Sequence, residues 1–319
     1  MVDSIAEFRM NSLPENSKVL VTGGSGFIGS HLIELLCKSD VQIDIIDFVE
    51  PSPKMAAPHR YMKVDLVSYL SSSSCDLSRY DYIFHLAGNA HPFPSVENPV
   101  KDFNMNLNTT LLFLESLKRI KERPKLINVS SAAVYGDPLT FPIKESDPTV
   151  PLSPYGVSKL AAENYVSVYS RLYGVSALSV RPFSIYGPRL RKQVVFDLLT
   201  KLHADPHTLE VYGDGKQMRD FLYVKDLVGA MLVVAAQGKG NGETYNIASG
   251  TSYSIQEVID TMCGVLGIKP DLRYSGKVRP GEPEKWIVDI AKIQHTGFKP
   301  EVSLQDGLAE TIGWFKSGK

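Results

Sequence analysis

Short apolar runs recur along the first part of the chain, at 18–22, 43–47, 61–64, 82–86, 126–129 and 177–181. They are rich in apolar and β-branched residues, with polar residues such as Asp44, Lys63, His85 and Asn128 only at single positions. That pattern predicts strands buried on both faces, as in a parallel sheet. Between them the spacing turns helical. The stretch 100–120 puts Leu107, Leu111, Leu114 and Leu117 on one face, and the segment opening at Tyr155 continues through Ala161, Ala162, Val166 and Tyr169. Strand–helix alternation predicts an α/β fold with a doubly wound parallel sheet.

Beyond Pro182 the rhythm changes. Helical patterns at 194–203, 226–236, 255–266 and from 308 onwards alternate with short strand-like runs at 209–212, 244–247 and 272–274. This predicts a smaller mixed α/β region that closes over the sheet edge as one wall of a cleft. Residues 1–16 contain Asp3, Glu7, Arg9 and Glu15 and no long apolar run, which is unlike a signal peptide, so they are expected to be a leader outside the core. The expected organisation is 17–182 for the sheet domain, with return segments near 220–252, and 183–219 with 253–319 for the smaller domain.

Composition narrows the class. The chain has 319 residues, 43% hydrophobic and 22% charged, enough for a sizeable core. A formal net charge of -1 gives no footprint for nucleic acid or an anionic membrane surface. No run reaches the ~18 apolar residues that span a bilayer. Cys37, Cys75 and Cys263 are scattered without metal-ligand spacing, so no metal site is expected and the thiols read as reduced residues of a cytoplasmic protein.

Two local patterns carry chemistry. The first strand ends in Gly23-Gly24-Ser25-Gly26-Phe27-Ile28-Gly29 and a helical pattern follows. Glycines there permit a tight turn and close approach to a pyrophosphate, and the helix N-terminus offers N–H donors. Asp47 closes the second strand, where a carboxylate accepts ribose hydroxyls and repels a 2′-phosphate, favouring NAD over NADP. The second pattern is Tyr155-Gly156-Val157-Ser158-Lys159. On a helix, Tyr155 and Lys159 lie one turn apart on one face. A fixed cation eases ionisation of a phenol, making it a proton-transfer group. His85, inside an apolar strand, reads as a core histidine, and His91 as a surface residue.

The chain resembles the extended short-chain dehydrogenase/reductase family, in particular its nucleotide-sugar epimerase and dehydratase group. The likeness runs from Lys18 to the last helix. It rests on an ordered set: GGSGFIG at 23–29, Asp47, Asp65-Leu66, HLAG at 85–88, SSAAVYG at 130–136, YGVSK at 155–159, RPFSIYGP at 181–188, RDFLYVKD at 219–226 and RPGEP at 279–283. The resemblance implies a Rossmann domain with a small carboxyl-terminal substrate domain, and a homodimer joined through the helices around 100–120 and Tyr155. It implies Tyr155 as the acid/base, Lys159 as the residue holding the nicotinamide ribose and lowering the phenol's pKa, and Ser131 as the hydroxyl bridging Tyr155 and substrate. NAD contacts are implied for Gly23, Gly26, Phe27, Ile28, Gly29, Asp47, Asp65, Leu66, Leu86, Ala87, Gly88 and Pro182. Substrate contacts are implied for Ser184, Arg219, Arg279 and Trp286, with the two guanidiniums on a sugar-nucleotide diphosphate.

The implied activity is NAD-dependent 4-epimerisation of a nucleotide-diphosphate sugar, most simply a UDP-sugar. Three departures shape this expectation. Ala132 and Ala133 stand where sugar 4,6-dehydratases of the family carry Asp-Glu, and the UDP-xylose-forming decarboxylases also keep an acid there. Methyl groups shuttle no protons, so Tyr155 is left as the evident proton carrier beside Ser131. Ser184 replaces the usual Asn, and Trp286 is a bulky residue that favours an unacetylated hexose or uronic acid. The rival readings are a reductase of a 4-keto-6-deoxy sugar nucleotide and, further off, a noncatalytic NAD-sensing regulator.

Overall fold

The computed structural model describes residues 13–50, 60–90, 92–122, 124–277 and 284–318. The strands are β1 (Lys18–Thr22), β2 (Gln42–Asp47), β3 (Arg60–Lys63), β4 (Tyr82–His85), β5 (Lys125–Val129), β6 (Ala177–Pro182), β7 (Ser184–Tyr186), β8 (Thr208–Val211), β9 (Met218–Tyr223), β10 (Asn241–Ile247), β11 (Ser252–Ser254) and β12 (Asp271–Tyr274). The helices are α1 (Phe27–Leu36), α2 (Leu66–Leu70), α3 (Pro92–Glu97), α4 (Pro99–Phe103), α5 (Thr109–Lys118), α6 (Pro154–Tyr173), α7 (Gln193–Ala204), α8 (Val224–Gln237), α9 (Ile255–Leu266), α10 (Ala291–Gln294) and α11 (Leu304–Lys316).

Seven strands form one parallel sheet in the order β10-β6-β5-β4-β1-β2-β3. Successive side chains of one strand enter different cores. Val19 and Val21 of β1 pack with Leu32, Ile33 and Leu36 of α1 and with α8, whereas Leu20 packs with Phe113, Leu114 and Leu117 of α5 and Val166 of α6. Helices on both faces are what make the strands read as mostly apolar runs rather than as alternating ones. Burying each such side chain stabilises the fold by about 1.5–3 kcal/mol. The order reverses between β1 and β4, which opens a crevice at their carboxyl ends.

The strand expected at 244–247 is β10. It pairs with β6 from Asn241 to Ile247 with a register shift on the way, extending the main sheet. The rest of the carboxyl-terminal half builds a three-stranded sheet β11-β9-β7 and a two-stranded sheet β12-β8. The runs 184–186, 218–223 and 252–254 were not legible as strands, because each is short or adjoins a helix without a break. The helix expected over 100–120 is not uniform. Between α4 and α5 the chain widens into a π turn, Asn104–Asn108, that buries both Asn106 and Leu107. Such a turn admits one extra residue and re-aims its neighbours.

Candidate active site

Three sheet ends converge on the crevice. At the end of β1, Gly26 is the N-cap of α1, whose first turn has neither a side-chain cap nor an acidic residue. The turn is as tight as the glycines predicted. A Cβ on Gly29 would lie 2.2 Å from the Gly23 carbonyl oxygen. Phe27 and Ile28 are half-buried and open α1 with its first N–H groups. Asp47 ends β2, its Oδ2 accepting from the Ser25 N–H at 2.9 Å and its Oδ1 from the Val49 N–H at 3.1 Å. Each oxygen keeps a second lone pair for a ribose hydroxyl. An uncapped helix N-terminus behind a glycine turn, flanked by a carboxylate, fits an adenosine diphosphate moiety. Leu86 and Ala87 leave β4 bonded back to Thr22, through its carbonyl oxygen at 3.2 Å and its hydroxyl at 3.2 Å. Asp65 is exposed and its carboxylate caps α2, accepting from the Ser68 N–H at 2.8 Å. The Leu66 side chain belongs to the core.

Beside this cradle, β5 delivers Ser131 and α6 delivers Tyr155 and Lys159. Ser153 caps α6 by accepting from the Gly156 N–H at 3.2 Å, and Pro154 sits in the first turn, where its missing N–H costs nothing. A Cβ on Gly156 would meet the Ala133 carbonyl oxygen at 2.7 Å, so glycine lets α6 press against the short turn Ala132–Val134. That contact brings the Ser131 hydroxyl beside the Tyr155 phenol, where it favours the phenolate. The same hydroxyl oxygen accepts from the Ala133 N–H at 3.1 Å. The Tyr155 N–H donates to Ser95 Oγ at 3.0 Å, which anchors the first turn from below.

The charge states differ from expectation in one respect. The Lys159 ammonium was expected to lower the phenol's pKa. Instead burial pushes Tyr155 up to about 12; the neighbouring Ser131 hydroxyl opposes this and the charge of Asp102 adds to it. Lys159 Nζ lies 5.8 Å from the centroid of the phenol ring and donates to the Val129 carbonyl oxygen at 2.9 Å. Burial lowers Lys159 to about 8, with Asp102 and Glu163 resisting. Desolvation outweighs the single cation at this separation.

Ser184 and Arg219 lie on paired strands of the small sheet, with Ser184 opposite Phe221. Arg219 Nη1 donates to the carbonyl oxygens of Met218 at 2.9 Å and Glu284 at 3.1 Å. Trp286 is 8% exposed and packs with Ala132, Val134, Tyr135 and Ile143, its ring edge-on to Phe183. It abuts the turn that carries Ser131. Pro182 ends β6. Arg279 and His91 lie outside the described residues. His85 is a core histidine, with its ring nitrogens 2.9 Å from Thr22 Oγ1 and 3.3 Å from Thr109 Oγ1, and burial lowers it to about 3.

Sequence reasoning missed a second polar layer. Arg181 Nε and Nη2 grip the Glu163 carboxylate at 3.0 and 2.6 Å, and Nη1 donates to Tyr135 Oη at 2.7 Å, which donates to Asn246 Oδ1 at 2.6 Å. Asp102, Asn106 and Ser95 were also missed. The available signal was Asp102 and Asn106 at i and i+4 beside the apolar stripe of Leu107 and Leu114.

A Rossmann-type sheet with a glycine cradle and a Ser–Tyr–Lys cluster at its carboxyl edge defines an NAD-linked α/β enzyme of the short-chain dehydrogenase/reductase type. The model of the NAD dependent epimerase/dehydratase family matches residues 19–248, and the chain belongs to that family. It is 34% identical over 314 residues to YtcB of Bacillus subtilis, an uncharacterized UDP-glucose epimerase, covering 94% of this chain and 98% of that one. Among solved structures, UDP-N-acetylglucosamine 4-epimerase from Methanobrevibacter ruminantium M1, in complex with UDP-N-acetylmuramic acid, superposes with a TM-score of 0.85 at 30% identity over 96% of this chain and 100% of that one. UDP-glucuronic acid 4-epimerase from Bacillus cereus, in complex with UDP-glucuronic acid and NAD, gives 0.83 at 30% identity over 95% and 100%. The chain is thus an NAD-dependent enzyme of the nucleotide-sugar epimerase/dehydratase family. Among the described residues no helix is long and apolar enough to cross a membrane, and no group of His, Cys, Asp and Glu could hold a metal ion.

Proposed function

We propose that the protein is a 4-epimerase of UDP-sugars, acting on an unacetylated hexose or uronic acid. The observation that carries this is the Ser131 hydroxyl set beside the Tyr155 phenol, at a turn whose next two side chains are the methyls of Ala132 and Ala133. The cluster suits reversible oxidation at one carbon and lacks the acid pair that dehydration uses.

NAD, when bound in the cradle of Gly23, Gly26, Gly29 and Asp47, supplies the hydride acceptor and donor. Tyr155 Oη takes the proton of the sugar hydroxyl and returns it after the keto sugar has turned over in the cleft. Ser131 Oγ orients that hydroxyl and shares its hydrogen bond with the phenol. Lys159 holds a positive charge one helical turn away, where it favours the phenolate and a ribose hydroxyl. Arg219 and Arg279 clamp the diphosphate and Ser184 contacts it or the sugar. Trp286 backs the turn carrying Ser131 and restricts room for an N-acyl group. On this reading 17–182 with 220–252 holds NAD, and 183–219 with 253–319 holds the sugar nucleotide.

A homodimer is part of the reading. Val157, Tyr165 and Leu172 make an exposed stripe along α6, and Val100 and Phe103 are exposed on α4 beside it. A second copy would cover these faces. Among the described residues Cys37, Cys75 and Cys263 form no disulfide, in keeping with a cytoplasmic location.

The test is to incubate the purified protein with UDP-glucose, UDP-glucuronate and UDP-N-acetylglucosamine without added cofactor and to follow the 4-epimer by NMR. Epimerisation of the unacetylated substrates is expected. Stoichiometric NADH oxidation by a 4-keto sugar, with no turnover of any unmodified sugar nucleotide, would overturn the proposal in favour of a reductase.

A further inference from the structure

Helix α6 packs against the segment that runs from α4 through the π turn into α5. Asp102, on α4, is only 2% exposed. Its Oδ1 accepts from the carboxamides of Asn89 at 2.7 Å and Asn106 at 2.9 Å, and its Oδ2 is buried with no hydrogen-bond partner among the described residues. It does not cap α4; Asn98 does, by accepting from the Lys101 N–H at 3.0 Å. Asn106 Oδ1 is also buried without a partner, and so close to Gly88 that a Cβ there would meet it at 2.4 Å. Gly88 is in the stretch that follows β4 into the crevice. A half-satisfied buried carboxylate destabilises a fold, and such groups concentrate at functional sites.

The other charged groups around α6 are already committed. Glu163, one turn beyond Lys159, is held by Arg181, and His85 on β4 is neutral between its two threonines. Asp102 is the remaining acid whose charge reaches both Tyr155 and Lys159.

We propose that Asp102 is a positioning residue for the reaction: its carboxylate turns the Asn89 and Asn106 amides and stands as the fixed countercharge for the Tyr155–Lys159 pair. This rests on Tyr155 and Lys159 being the reacting pair. A negative charge stabilises the protonated form of both groups. Removing it lowers both apparent values, so both limbs of the pH–rate profile move towards acid.

The experiment compares wild type, Asp102→Asn, Asp102→Glu and Tyr155→Phe. Each is assayed for 4-epimerisation across pH, and the tyrosinate absorbance of the unliganded proteins is titrated. Subtracting the Tyr155→Phe titration from wild type, and that of the Asp102→Asn/Tyr155→Phe double variant from Asp102→Asn, isolates the phenol of interest. In Asp102→Asn the profile and the phenol titration are expected to shift by about one pH unit towards acid. Asp102→Glu, which keeps the charge, is expected to keep the wild-type position. An unshifted Asp102→Asn profile, or an equal shift in Asp102→Glu, overturns the proposal. Should Asp102→Asn not fold, Asp102→Ser takes its place: a phenol titration and pH–rate profile shifted towards acid support the proposal, and unmoved ones overturn it. Full activity in Tyr155→Phe would instead overturn the catalytic reading itself.

Discussion

Lys159 Nζ donates to the Val129 carbonyl oxygen at 2.9 Å, which ties the helix of the proposed reacting pair to the strand that delivers Ser131. The bond orients the ammonium without rehydrating it, and burial holds the group at about 8. Its folded value lies below the ~10.4 of an unfolded lysine, so the unfolded chain binds the extra proton between these limits. The cost of burying the charge is fully present below pH 8 and fades as pH rises to ~10.4. Lys159→Met is therefore expected to be inactive yet more stable than wild type by roughly 1–2 kcal/mol at pH 7, with the gap closing by about pH 10.5. Urea unfolding at both pH values checks this, and a gap that does not narrow would contradict it.

Tyr155→Phe removes one oxygen beside Ser131 and leaves the helix cap and the Ser95 anchor intact. We expect a loss of at least ~100-fold in kcat with NAD still bound and thermal stability close to wild type. Retained turnover in this variant would remove Tyr155 from the mechanism.

Gly29→Ala introduces a Cβ 2.2 Å from the Gly23 carbonyl oxygen, in the middle of the cradle. Backbone lies on the other side of the clash, so the turn itself must move. The expected result is protein purified with little or no bound NAD and destabilised by about 1–3 kcal/mol. Cofactor released on denaturation, measured against wild type, reports the first effect; normal NAD content would show that the cradle tolerates the shift.

The Arg181–Glu163 pair lies beneath the site and is almost completely buried, at 6% and 4% side-chain exposure. Arg181→Met leaves Glu163 uncompensated and is expected to cost roughly 3–5 kcal/mol in chemical denaturation. Adding Glu163→Leu should recover much of that loss, since the stranded charge is the larger part of it. An additive double variant would assign the pair a merely local role.

The positions of the sheet strands were legible because burial on both faces leaves a mostly apolar signature, broken only at single positions such as Asp44 and Asn128. Tyr155 and Lys159 were legible as a pair because one helical turn makes their spacing meaningful, whereas Ser131 came only from the resemblance to the family. The strands β7, β9 and β11 were not, since short runs carry no period. Asp102 was not either. One acid in a helical stretch reads as a solvated residue until the π turn and α6 bury it.

The sequence by itself therefore determined the strand–helix alternation, the glycine turn and the Tyr155–Lys159 spacing, each of which is written in a short stretch of chain. Tertiary structure alone decided the electrostatics. It showed that burial, rather than Lys159, dominates the Tyr155 phenol. It added a carboxylate 53 positions before Tyr155, so the methyls of Ala132 and Ala133 do not leave the pair without an acid nearby. Desolvation and long-range charge depend on every segment packed around a group, and no local pattern in a chain encodes that sum.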